Sequence, residues 1–329
     1  GAPWNEEIFE ACPEIDRVHV WNWNRFNPRH RLAWILTAIW WGLALRRRRF
    51  DLAVDVRGEF PHAAVLWLSG ATRRLGWDAG GGGFLLTDSP TFVADRPEVE
   101  SRAALLAQLG IRPAEGDAPW RPTFPLRRMP QVDELLARLD AERSPNGPRI
   151  ALHVGAGTAA KRWPAEHWRE LIGNLLFHKR VQIVLVGGPP DRWIAQTILE
   201  QQQPSGVIDC TGILNISELA VLLRSADLFV GADSGPAHLA AAVGCPVVVL
   251  FSGTNSTRQW RPSGDGVTVV RHPVECSPCH ARRCPLPNHP CMCDLTPNAV
   301  ARAIEKRLPR SPGSPHAVFA SAATRESHP

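Results

Sequence analysis

Residues 231–250, GADSGPAHLAAAVGCPVVVL, compress a strand end, a tight turn, a helix start and a further strand into one short stretch. Leu228, Phe229 and Val230 read as a buried strand, and the small residues at 231–235 as the turn after it. Pro236 falls in the first turn of a helix, where its missing N–H is no loss. Asp233 or Ser234 is placed to cap that helix by accepting from its free amides. Gly244 and Pro246 end it, and 246–250 begins the next parallel strand. A turn of small residues feeding a helix start offers unpaired N–H groups and about half a positive charge, which suits a phosphate. It also lies at the carboxyl end of a strand, where open α/β sheets bind ligands. Taken alone, the stretch is equally an ordinary, well-capped connection.

Two upstream segments repeat the arrangement. In HVGAGTAAKRWPAEHW, 153–168, a strand runs into a Gly-Ala-Gly-Thr turn, and Lys161 stands just before a helix opening at Trp163 and Pro164. A lysine at such a mouth can meet a phosphate as a point charge, although most lysines are simply solvated. In VLVGGPPDRW, 184–193, a strand meets Gly-Gly and then Asp191, either a ribose ligand or a helix cap.

Strand patterns recur at 18–21, 51–56, 73–77, 149–154, 181–186, 206–209, 228–231, 246–251 and 266–271, with helical patterns between most of them. Leu171, Ile172, Leu175 and Leu176 form one helical face, Ile194, Thr197 and Ile198 a second, and Leu219, Leu222 and Leu223 a third behind Ser217 as N-cap. This alternation predicts an α/β chain with doubly wound parallel sheets. The polar, proline-bearing AERSPNGP at 141–148 reads as a linker, giving domains at 1–147 and 148–309. The last helix is capped by Thr296, and the aperiodic 310–329 is expected to be a disordered tail.

The chain has 329 residues, 44% hydrophobic and 21% charged, which excludes wholesale disorder. Its net charge of +5 fits an anionic ligand or a membrane surface as well as nucleic acid. A zinc-dependent nucleic-acid binder rests on that charge and the cysteines alone, without a basic-aromatic face, so no nucleic-acid partner is expected. No signal peptide opens the sequence and no apolar run reaches the length of a bilayer span. Five of the eight cysteines lie between 276 and 293, which suggests a reducing cytoplasm rather than a disulfide framework.

The order of the motifs is more specific than any one of them. K-x-W-P, then V-G-G, D-C-T-G at 209–212, D-S-G-P-A-H-L-A-A-A and F-S-G-T-N at 251–255 resemble glycosyltransferase family 9, the ADP-heptose:lipopolysaccharide heptosyltransferases. DVRGEF at 55–60, SGATRRLGWD at 69–78 and GGGGFLLTD at 80–88 look like the family's N-terminal domain, and 276–297 like the Cys-rich stretch of the heptosyltransferase II type. The resemblance covers about 3–308 and implies a GT-B fold, two Rossmann-like domains facing across a cleft. It implies inverting transfer of heptose from ADP-heptose to the lipopolysaccharide inner core, with no cofactor. Lys161 would neutralise the donor diphosphate, which Ser234, Gly235, Pro236 and His238 would surround. Asp233 would hold that loop, Gly157 and Thr158 would line the nucleotide side, and Asp191 would meet the ribose. Thr254 would lie near the donor sugar, and Arg57 would contact an acceptor anion. No D-x-D metal motif lies near these segments.

In the family the proton acceptor is an Asp in a Gly-Asp loop after the first strand. That pattern would precede Gly1, so the N-terminal domain is expected to be incomplete and to lack its base, a role that neither Asp55 nor Glu59 inherits. A different nucleotide sugar, or nucleotide binding without turnover, are the alternatives. The cysteine spacing C-x2-C-x4-C-x6-C-x-C favours reduced thiols or local pairing in a loop over a zinc site. The apolar 32–45 with the arginines at 46–49 reads first as a buried crossover helix. The alternative is a peripheral anchor on the cytoplasmic face of the inner membrane.

Overall fold

The computed structural model describes residues 5–21, 31–112, 122–126, 130–143, 147–178, 181–199 and 204–308. The tail expected at 310–329, and part of the linker expected at 141–148, lie outside them. The chain divides into two compact units, Gly1–Pro122 and Thr123–Pro329.

In the second unit the strands β3 (Arg149–His153), β4 (Gln182–Val186), β5 (Val207–Asp209), β6 (Leu228–Ala232), β7 (Val247–Phe251) and β8 (Val267–Arg271) form one sheet. Its order is β5-β4-β3-β6-β7-β8, every pair parallel. Renumbered within the unit this is 3-2-1-4-5-6, the Rossmann order, whose winding reverses between β3 and β6. β3, β4, β6 and β7 are buried along their whole length. They read as unbroken apolar runs because helices cover both faces of the sheet.

One face carries α6 (Ala165–His178), α7 (Arg192–Leu199) and α12 (Pro297–Arg307), which bury Leu171, Leu175, Ile194, Ile198, Val300 and Ile304. The other carries α5 (Pro130–Ala141), α8 (Ile216–Ser225) and α9 (Gly235–Ala242), which bury Leu139, Leu222, Leu223, Ala237 and Ala240. Short helices α10 (Thr257–Trp260) and α11 (Pro290–Cys293) follow β7 and precede α12. Asn215, not Ser217, caps α8: its side chain accepts from Glu218 N while the Glu218 carboxylate accepts from Asn215 N. Thr296 caps α12 as read from the sequence.

Helix α5 lies on the N-terminal side of the boundary expected near 147, yet it belongs to the second unit. Arg149, buried at the start of β3, explains why. Its Nη2 meets Asp140 of α5, its Nε donates to Gln182 Oε1 at 2.8 Å, and its Nη1 donates to Ser225 Oγ at 3.0 Å. Gln182 Nε2 in turn donates to Leu139 O. A guanidinium this deep is tolerable only with its donors satisfied, and here the partners come from three elements, α5, β4 and α8.

The first unit carries a two-stranded parallel sheet, β1 (Leu52–Asp55) and β2 (Arg73–Gly76), joined through α3 (Phe60–Leu68). Among the described residues its other α-helices are α1 (Glu6–Glu10), α2 (Arg31–Arg46) and α4 (Glu98–Ala107). Residues 18–21 do not form the expected strand; His19 instead sets its ring edge-on to Trp41 of α2, 5.2 Å away. α2 is not the buried crossover helix expected. Ala38 and Gly42 pack inward, where a Cβ on Gly42 would collide with Leu68, but Trp40 is 61% and Leu36 57% exposed. Among the described residues no helix is long and apolar enough to cross a membrane.

Arg149→Ala should lower the unfolding free energy by about 2–4 kcal/mol in urea titration, since it strands several buried partners at once. Burial pushes the Cys210 thiol up to about 11 and the Cys245 thiol up to about 12. Both should therefore stay unreacted in a native thiol titration at pH 8, while exposed Cys276 and Cys279 react.

Candidate functional site

Three turns meet at the carboxyl edge of the second unit's sheet, and each follows a buried strand. The first leaves β3 at His153 and passes through a 3-10 turn, Ala159–Lys161. Trp163 fixes that turn from below: it is fully buried, packs edge-on against Trp168 at 4.8 Å, and donates its indole N–H to Leu295 O at 2.8 Å. Lys161 is thereby held over the edge of the sheet. The second turn, Pro189–Asp191, follows β4. The third is the start of α9, just beyond β6.

That helix start is open. Pro236 occupies its first turn as expected, but no side chain caps it, contrary to the capping role read for Asp233 or Ser234. The Ser234 hydroxyl turns back to donate to Ala232 O at 3.1 Å. Asp233 is buried and points elsewhere. Its Oδ2 accepts from Lys161 Nζ at 2.7 Å and from Asn255 Nδ2 at 2.7 Å, and its carbonyl oxygen accepts from Lys161 Nζ at 3.1 Å. The lysine, the helix start and the loop after β7 are thus tied together through one carboxylate. The first amides of α9 keep their positive end of the helix dipole free of any side-chain acceptor.

His238 sits in the first turn of α9 and opens to solvent. Protein packed around it pushes its imidazole below the ordinary value; Asp233 opposes this and Lys161 adds to it. Thr158 Oγ1 is buried without a hydrogen-bond partner in the turn that leads to Lys161. Gly157 is exposed, and a Cβ there would meet only open space. Asp191 lies beside this turn: a Cβ on Gly155 would collide with its carboxylate. It accepts from Gly188 N at 3.0 Å and lies 3.7 Å from His153 Nε2. Burial raises its carboxyl, but the imidazole of His153, Gly188 N–H and the charge of Arg162 outweigh that and hold it below the usual range.

Thr254 is buried in the loop after β7, with its hydroxyl 2.9 Å from Ser252 Oγ. The Cys-rich loop closes over this region from outside. His280 N donates to Thr254 O, Cys279 N to Gly253 O, and Ala160 N to Arg282 O. The cysteines in it are unpaired, and among the described residues no three His, Cys, Asp or Glu side chains are arranged to hold a metal ion. Arg57 belongs to the first unit, where it pairs with Glu59 at 2.8 Å.

The structure therefore brings Lys161, Asp233, Ser234, Gly235, Pro236 and His238 into one place, with Thr158, Asp191 and Thr254 on turns of the same edge. It adds three residues that the motifs contained but that were not singled out. Asn255 is the last letter of F-S-G-T-N. Thr211, whose buried hydroxyl oxygen has no partner, lies within D-C-T-G. His153 ends β3.

A Rossmann-ordered parallel sheet with an open helix start and a lysine at its carboxyl edge, on a chain of two α/β units, defines the class. The chain belongs to glycosyltransferase family 9 (heptosyltransferase), whose profile matches residues 41–289. It is 28% identical over 236 residues to lipopolysaccharide heptosyltransferase 2 of Salmonella typhimurium, covering 70% of this chain and 67% of that one. The structure of E. coli ADP-heptose lps heptosyltransferase II matches with a TM-score of 0.68 at 24% identity, over 93% of this chain and 87% of that one. E. coli heptosyltransferase WaaC with ADP matches with 0.65 at 21%, over 93% and 88%. These likenesses give the chain the GT-B fold expected from its motifs. In sequence the chain spans about two thirds of the length of the relatives named heptosyltransferase 2 in Salmonella and Haemophilus influenzae.

An imidazole whose folded pKa lies below its unfolded value contributes stability that is present above that unfolded value, near 6.5, and is lost as pH falls from there through the lower folded value. His238→Gln should therefore flatten the fall in thermal midpoint between pH 7 and 5; an unchanged slope would contradict the shift.

Proposed function

We propose that the chain transfers heptose from ADP-heptose to the inner core of lipopolysaccharide, inverting the anomeric centre without a metal ion. The reading rests on one observation: an uncapped helix start at the sheet's carboxyl edge, beside a lysine that a buried carboxylate holds in place. The acceptor hydroxyl forms the new C–O bond as the bond to the β-phosphate breaks, and ADP leaves with growing negative charge. The α9 amides, Lys161 and His238 are fixed donors of the kind that stabilises such charge. A base must take the acceptor's proton.

Gly157, Thr158 and Asp191 serve the nucleoside side in this scheme, Thr254 the donor sugar, and Arg57 an anionic group of the acceptor. The second unit is the donor domain and the first the acceptor domain. The names of the relatives support donor and acceptor alike, since they include ADP-heptose and lipopolysaccharide. A lipid-linked acceptor would bring the chain to the cytoplasmic face of the inner membrane. There the exposed Ile35, Leu36, Ile39, Trp40 and Leu43 of α2, next to the arginines at 46–49, suit contact with anionic lipid.

Lys161→Ala and His238→Ala should each weaken ADP binding by about 1–3 kcal/mol in calorimetry, through lost charge-assisted bonds. Unchanged affinity in both would overturn the site. Equal affinity for ADP and UDP would turn the assignment toward a different nucleotide sugar.

A further inference from the structure

His153 stands at the end of β3, next to β6, where the winding of the sheet reverses. Its side chain is only 5% exposed, and its two ring nitrogens face two different turns. Nδ1 is 3.4 Å from Ser234 Oγ at the start of α9. Nε2 is 3.7 Å from Asp191 Oδ2 after β4. The ring stacks against Phe229 with centroids 6.5 Å apart and planes 20° from parallel. Across the ladder its partner is Gly231, where a Cβ would come within 3.0 Å of the His153 Cβ. Glycine at 231 therefore leaves room for the His153 Cβ and the Phe229 ring, and glycine at 155 leaves room for the Asp191 carboxylate.

We infer that His153 is a positioning residue of the donor site: its imidazole spans Ser234 and Asp191 and so fixes the distance between the diphosphate end and the ribose end of a bound nucleoside diphosphate. This rests on the donor site proposed above. An imidazole has one nitrogen for each neighbour. With Nε2–H directed at the Asp191 carboxylate, Nδ1 is left as an acceptor, and the Ser234 hydroxyl can reach it only by turning its one proton from Ala232 O to the ring. Both separations are long for hydrogen bonds, so the ring's place is set as much by its stacking on Phe229 as by either neighbour.

The test is calorimetric titration with ADP. His153→Phe keeps a ring against Phe229 but has no nitrogens, and should weaken ADP about tenfold. His153→Gln retains a hydrogen-bonding end and should stay within about threefold of the parent. In a double-mutant cycle, adding Ser234→Ala to His153→Phe should cost little beyond the larger single loss, because both remove the same link. His153→Leu against His153→Gln repeats the comparison should the phenylalanine prevent folding. The inference fails if His153→Phe binds ADP like the parent, if glutamine binds no better than phenylalanine, or if the losses multiply. Should Lys161→Ala weaken ADP while His153→Phe does not, the donor site stands and only this inference falls. Should Lys161→Ala also have no effect, the donor site itself is wrong.

Discussion

The contact between Lys161 and Asp233 joins segments 72 residues apart and organises the carboxyl edge of the sheet. Asp233 is buried, so its charge would be costly without a partner, and Lys161 and Asn255 both donate to the same oxygen. Held through Oδ2 in this orientation, the carboxylate does not cap α9. The helix start is left open because the nearest acid is engaged elsewhere. An internal neutralisation thus produces a local excess of donors, which is the electrostatic condition for holding a diphosphate.

The supports of this contact are apolar. Trp163 and Trp168 anchor the turn that bears Lys161 in the core between the sheet and α6, and the indole N–H of Trp163 reaches the carbonyl of Leu295 near α12. On the far side, the loop after β7 is stitched to the Cys-rich loop by backbone bonds from Cys279 and His280, and that loop returns to Ala160 through Arg282. His289 adds a ring nitrogen 3.0 Å from Ala160 O. The cysteine stretch thus holds the lysine turn through its backbone and the His289 ring. Rigid elements around a polar edge are what allow a few charges to keep fixed positions.

The two units differ in how their apolar surface is used. In the second, both faces of the sheet are covered and every strand but the edge strands β5 and β8 is buried along its whole length. In the first, α2 meets α3 through a seam of small residues and turns its bulky side chains outward, beside a run of arginines. An exposed apolar face of this kind signals a contact made by the surface rather than by the core.

The second unit's sheet and its helix start are legible in the residue pattern alone. Buried parallel strands are near-continuous apolar runs, and glycine and proline punctuation marks where they end, so β3, β4, β6 and β7 were legible locally. Thr296 and Pro236 were legible for the same reason. Ser217 was misread because the acceptor that wins at α8 is Asn215, whose capping box with Glu218 is a competition between neighbours. Burial of α2 and pairing of 18–21 depended on what packs against them, which no periodicity encodes. The same holds for His153 and Asn255. Their types were visible in the motifs, but a histidine at a strand end acquires a role only when two other turns arrive beside it. Tertiary structure decided which carboxylate meets the lysine, because that pairing lies between distant segments and is settled by burial.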